Sequence, residues 1–543
     1  MKRKKIIGSL LLSSMLVISS LTACSPNSIT TSSASSTTIS KSDMFTKNDL
    51  DASYDESKST KITLSDSKTT VNGDGAEFSN ENATNTLTIT KEGTYILSGN
   101  LDGEIVVESD KTAKVQIVLN GVTVSNKGNA AIQVKQADKV FLTMAPDSQN
   151  NLTEIGEFTT DDTSNVDGVI FSKDDLTLNG SGTLKVSTES GNGIVSKDDL
   201  VIASGSIDIS SSGHGIQGKD SVRIADGNIN IKSSNDGISS ENNDDSSLGF
   251  VYIKDGNIKI AAEDDGIHSG NNVTIDGGTI NISKSAEGIE GQSIDINGGK
   301  VDVTSSDDGL NAASSDTSGS NSSNQGANKS GEPGAPNPSN GQGGPGGFGG
   351  PGGPNSSNGQ GGPGGFGGPG GPNSSNGQGG PGGFGGSGAT NSSNGQGGPG
   401  GFGGPNGGDM SLDKNAYIKI TGGEVHISAE GDGIDSNGDI EVSGGTVYIE
   451  GPSRGGNGAL DFTGNGTISG GLVIATDNGS MVQSLTAKSG MNTIVQNVNN
   501  SSSSEIVVKD SSGKILGTLK PGKSFNTVII SGSGISENTV SYK

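Results

Sequence analysis

The chain has 543 residues and a formal net charge of −25, and its 92 glycines stand beside 12 phenylalanines, 6 tyrosines and no tryptophan. This composition excludes an ordinary globular core built around aromatic side chains. The acidic charge excludes a nucleic-acid partner, because phosphate binding requires a basic face, but it is compatible with cation binding or with simple solubility outside the cell.

The N-terminus has the pattern of an export signal. The basic stretch MKRKK is followed by an apolar stretch from Ile6 to Leu21 and by the small-residue sequence LTAC, which ends at Cys24. LTAC resembles the lipobox of bacterial lipoproteins, and this resemblance implies that Cys24 is acylated after residues 1–23 are removed. The acyl chains would anchor the protein on the extracellular face of the cell membrane, its only membrane contact. The alternative is a plain secretory peptide with an incidental cysteine.

Cys24 is the only cysteine, so the chain can form no internal disulfide and keeps no thiol for catalysis. Residues 24–60 are rich in serine and threonine at their start, and we expect a tether that lifts the protein off the membrane.

A short turn phrase then repeats along the chain. Phrases such as GNGIVS, GHGIQG and EDDGIHSG place an apolar anchor after a glycine, at intervals of 22, 22, 29, 22 and 21 residues. The anchors are Ile194, Ile216, Ile238, Ile267, Ile289 and Leu310.

Two further runs of alternating apolar and polar residues, separated by glycine pairs, follow most anchors and indicate strands joined by tight corners. Three short strands per turn predict an all-β parallel β-helix, a solenoid filled by Ile and Val ladders. A propeller blade would need roughly twice this period.

The predicted β-helix occupies residues 61–311, including an N-terminal cap, and resumes at 413–478. Between these parts, residues 312–412 are rich in Gly, Pro, Ser and Asn and contain an 18-residue repeat. Such a composition cannot bury enough surface to offset chain entropy, so we expect a long disordered insertion within one turn. A wall-spanning or partner-binding role for it is the alternative. Residues 479–543 are predicted to form a small β cap.

Acidic residues recur at one corner of the predicted solenoid. Equivalent positions of successive turns stack, so the residues before the glycines form a ladder: Asn192, His214, Asp236, Asp265, Glu287, Asp308, Asp432 and Asn457. Carboxylates about 5 Å apart repel by roughly 1 kcal/mol in water, so the ladder requires solvent, interleaved Asn and His, or a cation.

Calcium accepts irregular sets of oxygen ligands, whereas zinc fits poorly without thiols. The predicted calcium ligands are Asp236, Asp264, Asp265, Asp307, Asp308, Asp432 and Asp435. An empty polar ladder is the alternative.

A second ladder consists of Lys173, Lys197 and Lys219, each followed by an aspartate. Its alternating signs favour a structural charge stripe, and contact with an acidic sugar is the alternative. These three lysines and His268 are the candidate glycan contacts.

Several phrases in order resemble the bacterial surface lipoproteins called carbohydrate-binding domain-containing proteins, among them TITKEGTYILSGNL, VQIVLNGVTV, VIFSKDDLTLNGSGTLKV and EDDGIHSG. The resemblance runs from about Thr86 to Ile474 outside the insertion. It implies a right-handed parallel β-helix, similar in fold to pectate lyases, with bound calcium and with cellulose or polygalacturonate as ligand. Turns with Asn192, His214 or Asn457 in place of the acid depart from the pattern and are expected to lack a calcium site.

The sequence therefore predicts a monomeric, non-catalytic, calcium-binding protein whose partner is a polysaccharide. The absence of tryptophan disfavours a flat aromatic platform for crystalline cellulose. A calcium-dependent polysaccharide lyase is the alternative, but such an enzyme requires a base beside the metal, and no Lys or Arg falls in the acidic phrases. A structural adhesin or wall spacer, supported by the Gly-rich repeats, is the third hypothesis.

Overall fold

The computed structural model describes residues 44–81, 84–159, 165–314, 412–498 and 505–543. The export signal, Cys24, the start of the predicted tether and almost all of the Gly-rich insertion lie outside these ranges. Within them nearly all regular structure is β-strand, and the strands pair in parallel with those one turn away. The predicted all-β parallel β-helix is confirmed. None of the described helices has the length and apolar character to cross a bilayer.

Each turn contributes strands to three parallel sheets, here named A, B and C. Strands Ile267–Ile275 and Ile289–Ile296 bend from A into B. Lys114–Lys127 begins in B and continues into C, and Gly93–Glu108 runs from B through C into A. The other strands of sheet A are Thr84–Ile89, Ile132–Gln136, Gly168–Ser172, Asn192–Ser196, Ile216–Gly218, Ile238–Ser240, Leu310–Ala312, Ile434–Ser436 and Leu460–Phe462.

The other strands of sheet B are Thr60–Leu64, Lys139–Met144, Asp175–Gly180, Asp199–Ile202, Ser221–Ile224, Phe250–Ile253, Tyr417–Ile420, Asp439–Val442, Gly466–Ile468 and Thr486–Ala487. Those of sheet C are Gln149–Ile155, Thr183–Ser187, Ser206–Ser210, Asn228–Lys232, Asn257–Ala261, Thr279–Lys284, Lys300–Ser305, Glu424–Ala429, Thr446–Glu450 and Leu472–Asp477.

Antiparallel strands lie at both ends of the solenoid. At the start, Thr70–Asn72 pairs with the first strand of sheet B, and Ala76–Glu81 pairs with the first strand of sheet A. At the other end Thr527–Gly532 runs antiparallel to both Leu472–Asp477 and Asn492–Asn497. A separate sheet contains Ile506–Lys509, Ile515–Leu519 and Val540–Tyr542, and a short 3-10 helix spans Glu537–Thr539.

The stacking of the anchors sets the register of sheet A. Ile194, Ile216, Ile238, Ile267, Ile289, Leu310 and Ile434 pair in succession, as the repeat predicts. The next partner is Leu460, so Gly458 and not Asn457 takes the following place in the corner ladder. The prediction for Asn457 is therefore wrong by one residue, because the phrase RGGNGALDF has an alanine where the earlier turns have the repeated glycine.

Residues 44–59, which we name the strap, differ from the predicted tether. They contain the single-turn helix Lys47–Leu50 and lie against the outer face of sheet B. Asp49 is 1% exposed and lies 2.8 Å from the ammonium of Lys139. A buried ion pair of this kind has no signature in the local sequence, because its partner is 90 residues away.

Replacing a core residue tests the stacking. Ile280 is fully buried between Ile258 and Val301 of the neighbouring turns. We expect Ile280→Ala to lower the free energy of unfolding by about 2–5 kcal/mol, through lost burial and a cavity. The control Asn281→Ala removes an exposed side chain from the same strand and should change it by less than about 0.5 kcal/mol. Equal effects in urea titrations would contradict the assignment of inner and outer faces.

Candidate functional site

The acidic corner lies where sheet C passes into sheet A. Here a side-chain oxygen on one turn accepts the backbone N–H of the equivalent residue on the next turn. This bond joins Asn192 to His214 at 2.8 Å, Asp236 to Asp265 at 3.3 Å, Asp265 to Glu287 at 3.2 Å, and Asp308 to Asp432 at 2.6 Å. Asn performs this role as well as Asp, so the fold requires only a short side chain with an oxygen. Wherever an acid is present, its second oxygen is available for another partner.

The glycine after each corner residue is explained by close backbone contact. A Cβ added to Gly266 would lie 2.5 Å from the carbonyl oxygen of Gly288 on the next turn. Only a residue without a side chain fits there, so the repeated acid–glycine pair has a structural origin.

A second row of side chains stands beside the corner, immediately after each anchor. Its members are Gln217, Ser239, His268, Glu290, Asn311, Asp435 and Asp461, and each pairs in register with the next. The corner acids and this row face each other across the turn. Two groups of potential metal-ligating atoms result.

The first group, which we name the histidine cluster, consists of Asp265, His268 and Glu290. The Nδ1 atom of His268 lies 3.3 Å from Asp265 Oδ2 and 2.8 Å from Glu290 Oε2. Burial acts to lower the pKa of His268, but hydrogen bonds to Asp265 and Glu290 raise it to about 11. A protonated imidazole therefore supplies the positive charge between these carboxylates. His214 Nδ1 similarly lies 3.1 Å from Asp236 Oδ2.

The second group, the aspartate cluster, consists of Asp308, Asp432 and Asp435, with one carboxylate oxygen of each within 4.8 Å of the others. In the described part of the chain no basic side chain forms an ion pair with them. Burial raises the pKa of Asp308 and Asp435 to about 7 and that of Asp432 to about 6, and repulsion from neighbouring carboxylates, inside and outside the cluster, adds to each shift. The aspartate cluster thus brings three carboxyl groups together, without a positively charged partner among the described residues, as a cation-binding site would.

The structure separates the predicted calcium ligands into three sets. Asp308, Asp432 and Asp435 come together in the aspartate cluster. Asp236 and Asp265 lie beside histidines. Asp264 and Asp307 are exposed and belong to neither cluster.

The predicted lysine ladder lies at a different corner, where sheet A passes into sheet B. Lys197 forms an ion pair with Asp167 at 3.1 Å and Lys219 with Asp244 at 2.6 Å, while Lys173 is exposed. The two ion pairs join the ladder to neighbouring loops and favour the structural interpretation. His268, the remaining candidate glycan contact, is held between two carboxylates.

Two acidic residues beside the site, Asp461 and Asp477, were not predicted from the sequence, and Glu290 was not among the predicted calcium ligands. Glu290 and Asp461 belong to the row after the anchors, which also contains the predicted ligand Asp435. Asp477 is 1% exposed and accepts the N–H of Ala459 at 2.7 Å. It lies on sheet C, outside the repeated phrase, so no spacing rule indicates it.

The aspartate cluster predicts a pH dependence of stability without calcium. The pKa of Asp435 in the folded protein, about 7, exceeds its value in the unfolded chain. The contribution of Asp435 to the free energy of unfolding is therefore present at low pH and is lost as the pH rises from about 4 through 7. We expect Asp435→Asn to raise the free energy of unfolding at pH 8 by about 1–3 kcal/mol and to have little effect at pH 4. The exposed residue Asp264 supplies the control Asp264→Asn. An equal loss of stability at both pH values would contradict the prediction.

The histidine cluster predicts the opposite dependence. Because the pKa of His268 is raised in the folded protein, its contribution to the free energy of unfolding is complete below about pH 6.5 and is lost as the pH rises through about 11. His268→Gln should lower the free energy of unfolding by about 1–3 kcal/mol at pH 6, since Asp265 and Glu290 then lack their cation. The less buried His426 provides the control His426→Gln. A cost that does not shrink between pH 6 and pH 10 in denaturant titrations would argue against a charged imidazole.

Comparison with known proteins gives three matches. The family model described as carbohydrate-binding domain-containing protein matches residues 83–328, a range that contains the histidine cluster and Asp308 but not Asp432 or Asp435. A protein of that description from Acetivibrio thermocellus is 37% identical over 126 residues, 23% of this chain and 44% of the relative. The chain thus matches less than half of that relative's length. A solved polysaccharide lyase-like protein from C. thermocellum, a gadolinium derivative, is 33% identical with a TM-score of 0.39, over 44% of this chain and 92% of that one.

Proposed function

We propose that the protein is a non-catalytic polysaccharide-binding protein, that it holds calcium at the aspartate cluster, and that a lipid on Cys24 displays it on the extracellular face of the cell membrane. The observation that carries the proposal is the convergence of Asp308, Asp432 and Asp435, with ligand atoms within 4.8 Å and no basic partner among the described residues. The match to the carbohydrate-binding family model supports a polysaccharide as partner.

The donor set of the aspartate cluster fits calcium. All candidate ligand atoms are carboxylate oxygens, which calcium prefers, and no thiol or imidazole is present in the cluster to favour zinc. The Oδ1 atoms of Asp308 and Asp432 accept backbone N–H groups of the next turn, which fixes the orientation of both carboxylates. Bound calcium would offset two of the three negative charges and could take oxygen ligands from a sugar. The protein's own contribution is to hold these oxygens on rigid, stacked turns.

The histidine cluster supports binding in place of catalysis. A lyase needs a base that accepts a proton near neutral pH. His268 keeps its proton, because hydrogen bonds to Asp265 and Glu290 hold its pKa near 11. Arg223 lies on sheet B beneath the strap, at a different face from the acidic corner. Within the described ranges no Lys, Arg or His forms an ion pair with the aspartate cluster, so the basic residue expected beside the metal of a lyase is not found there.

Titration calorimetry of the full chain tests this function. Calcium should bind the wild type with measurable heat, and Asp432→Asn and Asp435→Asn should each weaken this binding by at least about tenfold, because a charged oxygen ligand is lost. The control Asp264→Asn removes an exposed acid and should leave binding unchanged.

The calcium-loaded protein is then titrated with oligogalacturonate and with cello-oligosaccharide. Binding without ultraviolet absorbance from unsaturated product is the expected result. Growth of that absorbance would make the protein a lyase. Calcium binding with no response to any glycan would favour a structural adhesin or wall spacer.

A further inference from the structure

The strap covers a continuous row of outward side chains on sheet B. The row contains Tyr252, Arg223, Val201, Thr177, Phe141 and Gln116, one from each successive turn. Phe45 contacts the ring of Tyr252 at a centroid distance of 5.8 Å, and Ser53 lies at the other end against Gln116. At about 4.8 Å per turn the strap thus spans roughly 24 Å along the solenoid.

Side chains of sheet B donate hydrogen bonds to the backbone of the strap. Arg223 donates to the carbonyl of Met44 at 3.1 Å, Asn179 to that of Asp49 at 3.2 Å, and Gln116 to that of Ser53 at 3.4 Å. Hydrogen bonds to the backbone do not depend on the side chains of the strap. Another extended chain rich in oxygen acceptors could therefore accept the same bonds in place of the strap. Leu50, an aliphatic residue at the centre of the strap, is 52% exposed, and apolar packing of the strap comes from Tyr54 against the cluster of Ile96, Val118 and Ala145.

Asp49 is the point at which the strap is held most specifically. One carboxylate oxygen lies 2.8 Å from Lys139 Nζ and accepts the hydroxyl of Thr177 at 2.7 Å. The other oxygen accepts the N–H and the hydroxyl of Thr46, both at 2.8 Å. Burial acts to raise the pKa of Asp49, but hydrogen bonds from Lys139 and Thr177 lower it overall. The face of sheet B therefore stabilises an added carboxylate in its charged form.

Both basic residues of this face already have an acidic partner on sheet B. Lys139 has Asp175 at 3.6 Å, and Arg223 pairs with Asp199. Asp49 is thus an additional anion that sheet B accepts. Arg223 is 8% exposed, and its buried Nε–H has no hydrogen-bond partner among the described residues. A buried donor without a partner costs free energy and indicates that the strap does not use all the binding capacity of the face.

We propose that Lys139, Thr177 and Arg223 form a binding site for the carboxylates of an acidic polysaccharide, and that Asp49 occupies this site until such a ligand displaces the strap. The ligand class rests on the proposed function, but the site is separate from the aspartate cluster and does not involve calcium. Phe141 and Tyr252 flank the charged residues and would provide apolar contact for sugar rings. A structural clamp that never leaves sheet B is the competing account.

The test measures binding of oligogalacturonate to the full chain in excess chelator, so that the aspartate cluster does not contribute. Asp49→Ala should bind at least about tenfold more tightly than the wild type, since the competing carboxylate is removed. Asp51→Ala, on an exposed strap residue, should bind like the wild type, and adding Lys139→Met to Asp49→Ala should abolish the gain. Neutral cello-oligosaccharide should show no gain with Asp49→Ala. Unchanged affinity together with lower thermal stability in Asp49→Ala would overturn the proposal in favour of the clamp.

Hydrogen–deuterium exchange on the unaltered chain gives an independent result. Oligogalacturonate should increase exchange in residues 44–59, and unchanged exchange at saturating ligand would overturn displacement. The two proposals can fail separately. Loss of calcium binding in Asp432→Asn concerns only the aspartate cluster, whereas the gain of binding in Asp49→Ala in chelator concerns only the strap.

Discussion

The vertical stacking of equivalent residues, one turn above another, is the constraint on which the rest of the structure depends. Parallel strands about 4.8 Å apart bring the same side-chain type into contact with its own copies. For the anchors this produces a continuous apolar ladder without large aromatic residues. For acids the same geometry brings like charges together, and each turn must supply a means of tolerating them.

The corner shows two such means on one scaffold, and we propose a third. One oxygen of most corner residues accepts the N–H of the next turn, so part of the ladder is satisfied by the backbone. A histidine provides another means, since His214 lies beside Asp236 and His268 stands between Asp265 and Glu290. At the aspartate cluster no histidine or other basic side chain of the described residues forms an ion pair, and we propose that a bound calcium ion takes this role. The difference between these turns comes from single residues in the stacked rows.

Much of the fold could be predicted from the sequence, because repetition makes each turn a template for the next. The anchor register from Ile194 to Ile434 followed directly from the glycine spacing. The error at Asn457 arose where Ala459 interrupts the glycine pattern, since a rule based on one residue type cannot place a turn that lacks it. The contacts of Asp49 lie far apart in the sequence and have no repeated form, so local pattern carries no information about them.

For the candidate site, the sequence located the acidic corner but could not assign roles within it. Asp265 and Asp308 occupy equivalent ladder positions, yet the first has an imidazole beside it and the second has two further aspartates. That distinction depends on which member of the second row faces each acid.

Diffraction from calcium-soaked crystals, with anomalous scattering to locate the ion, tests the different roles of the two clusters most directly. We expect an ion among Asp308, Asp432 and Asp435 and none between Asp265 and Glu290. An ion at the histidine cluster, or none at the aspartate cluster at saturating calcium, would contradict it.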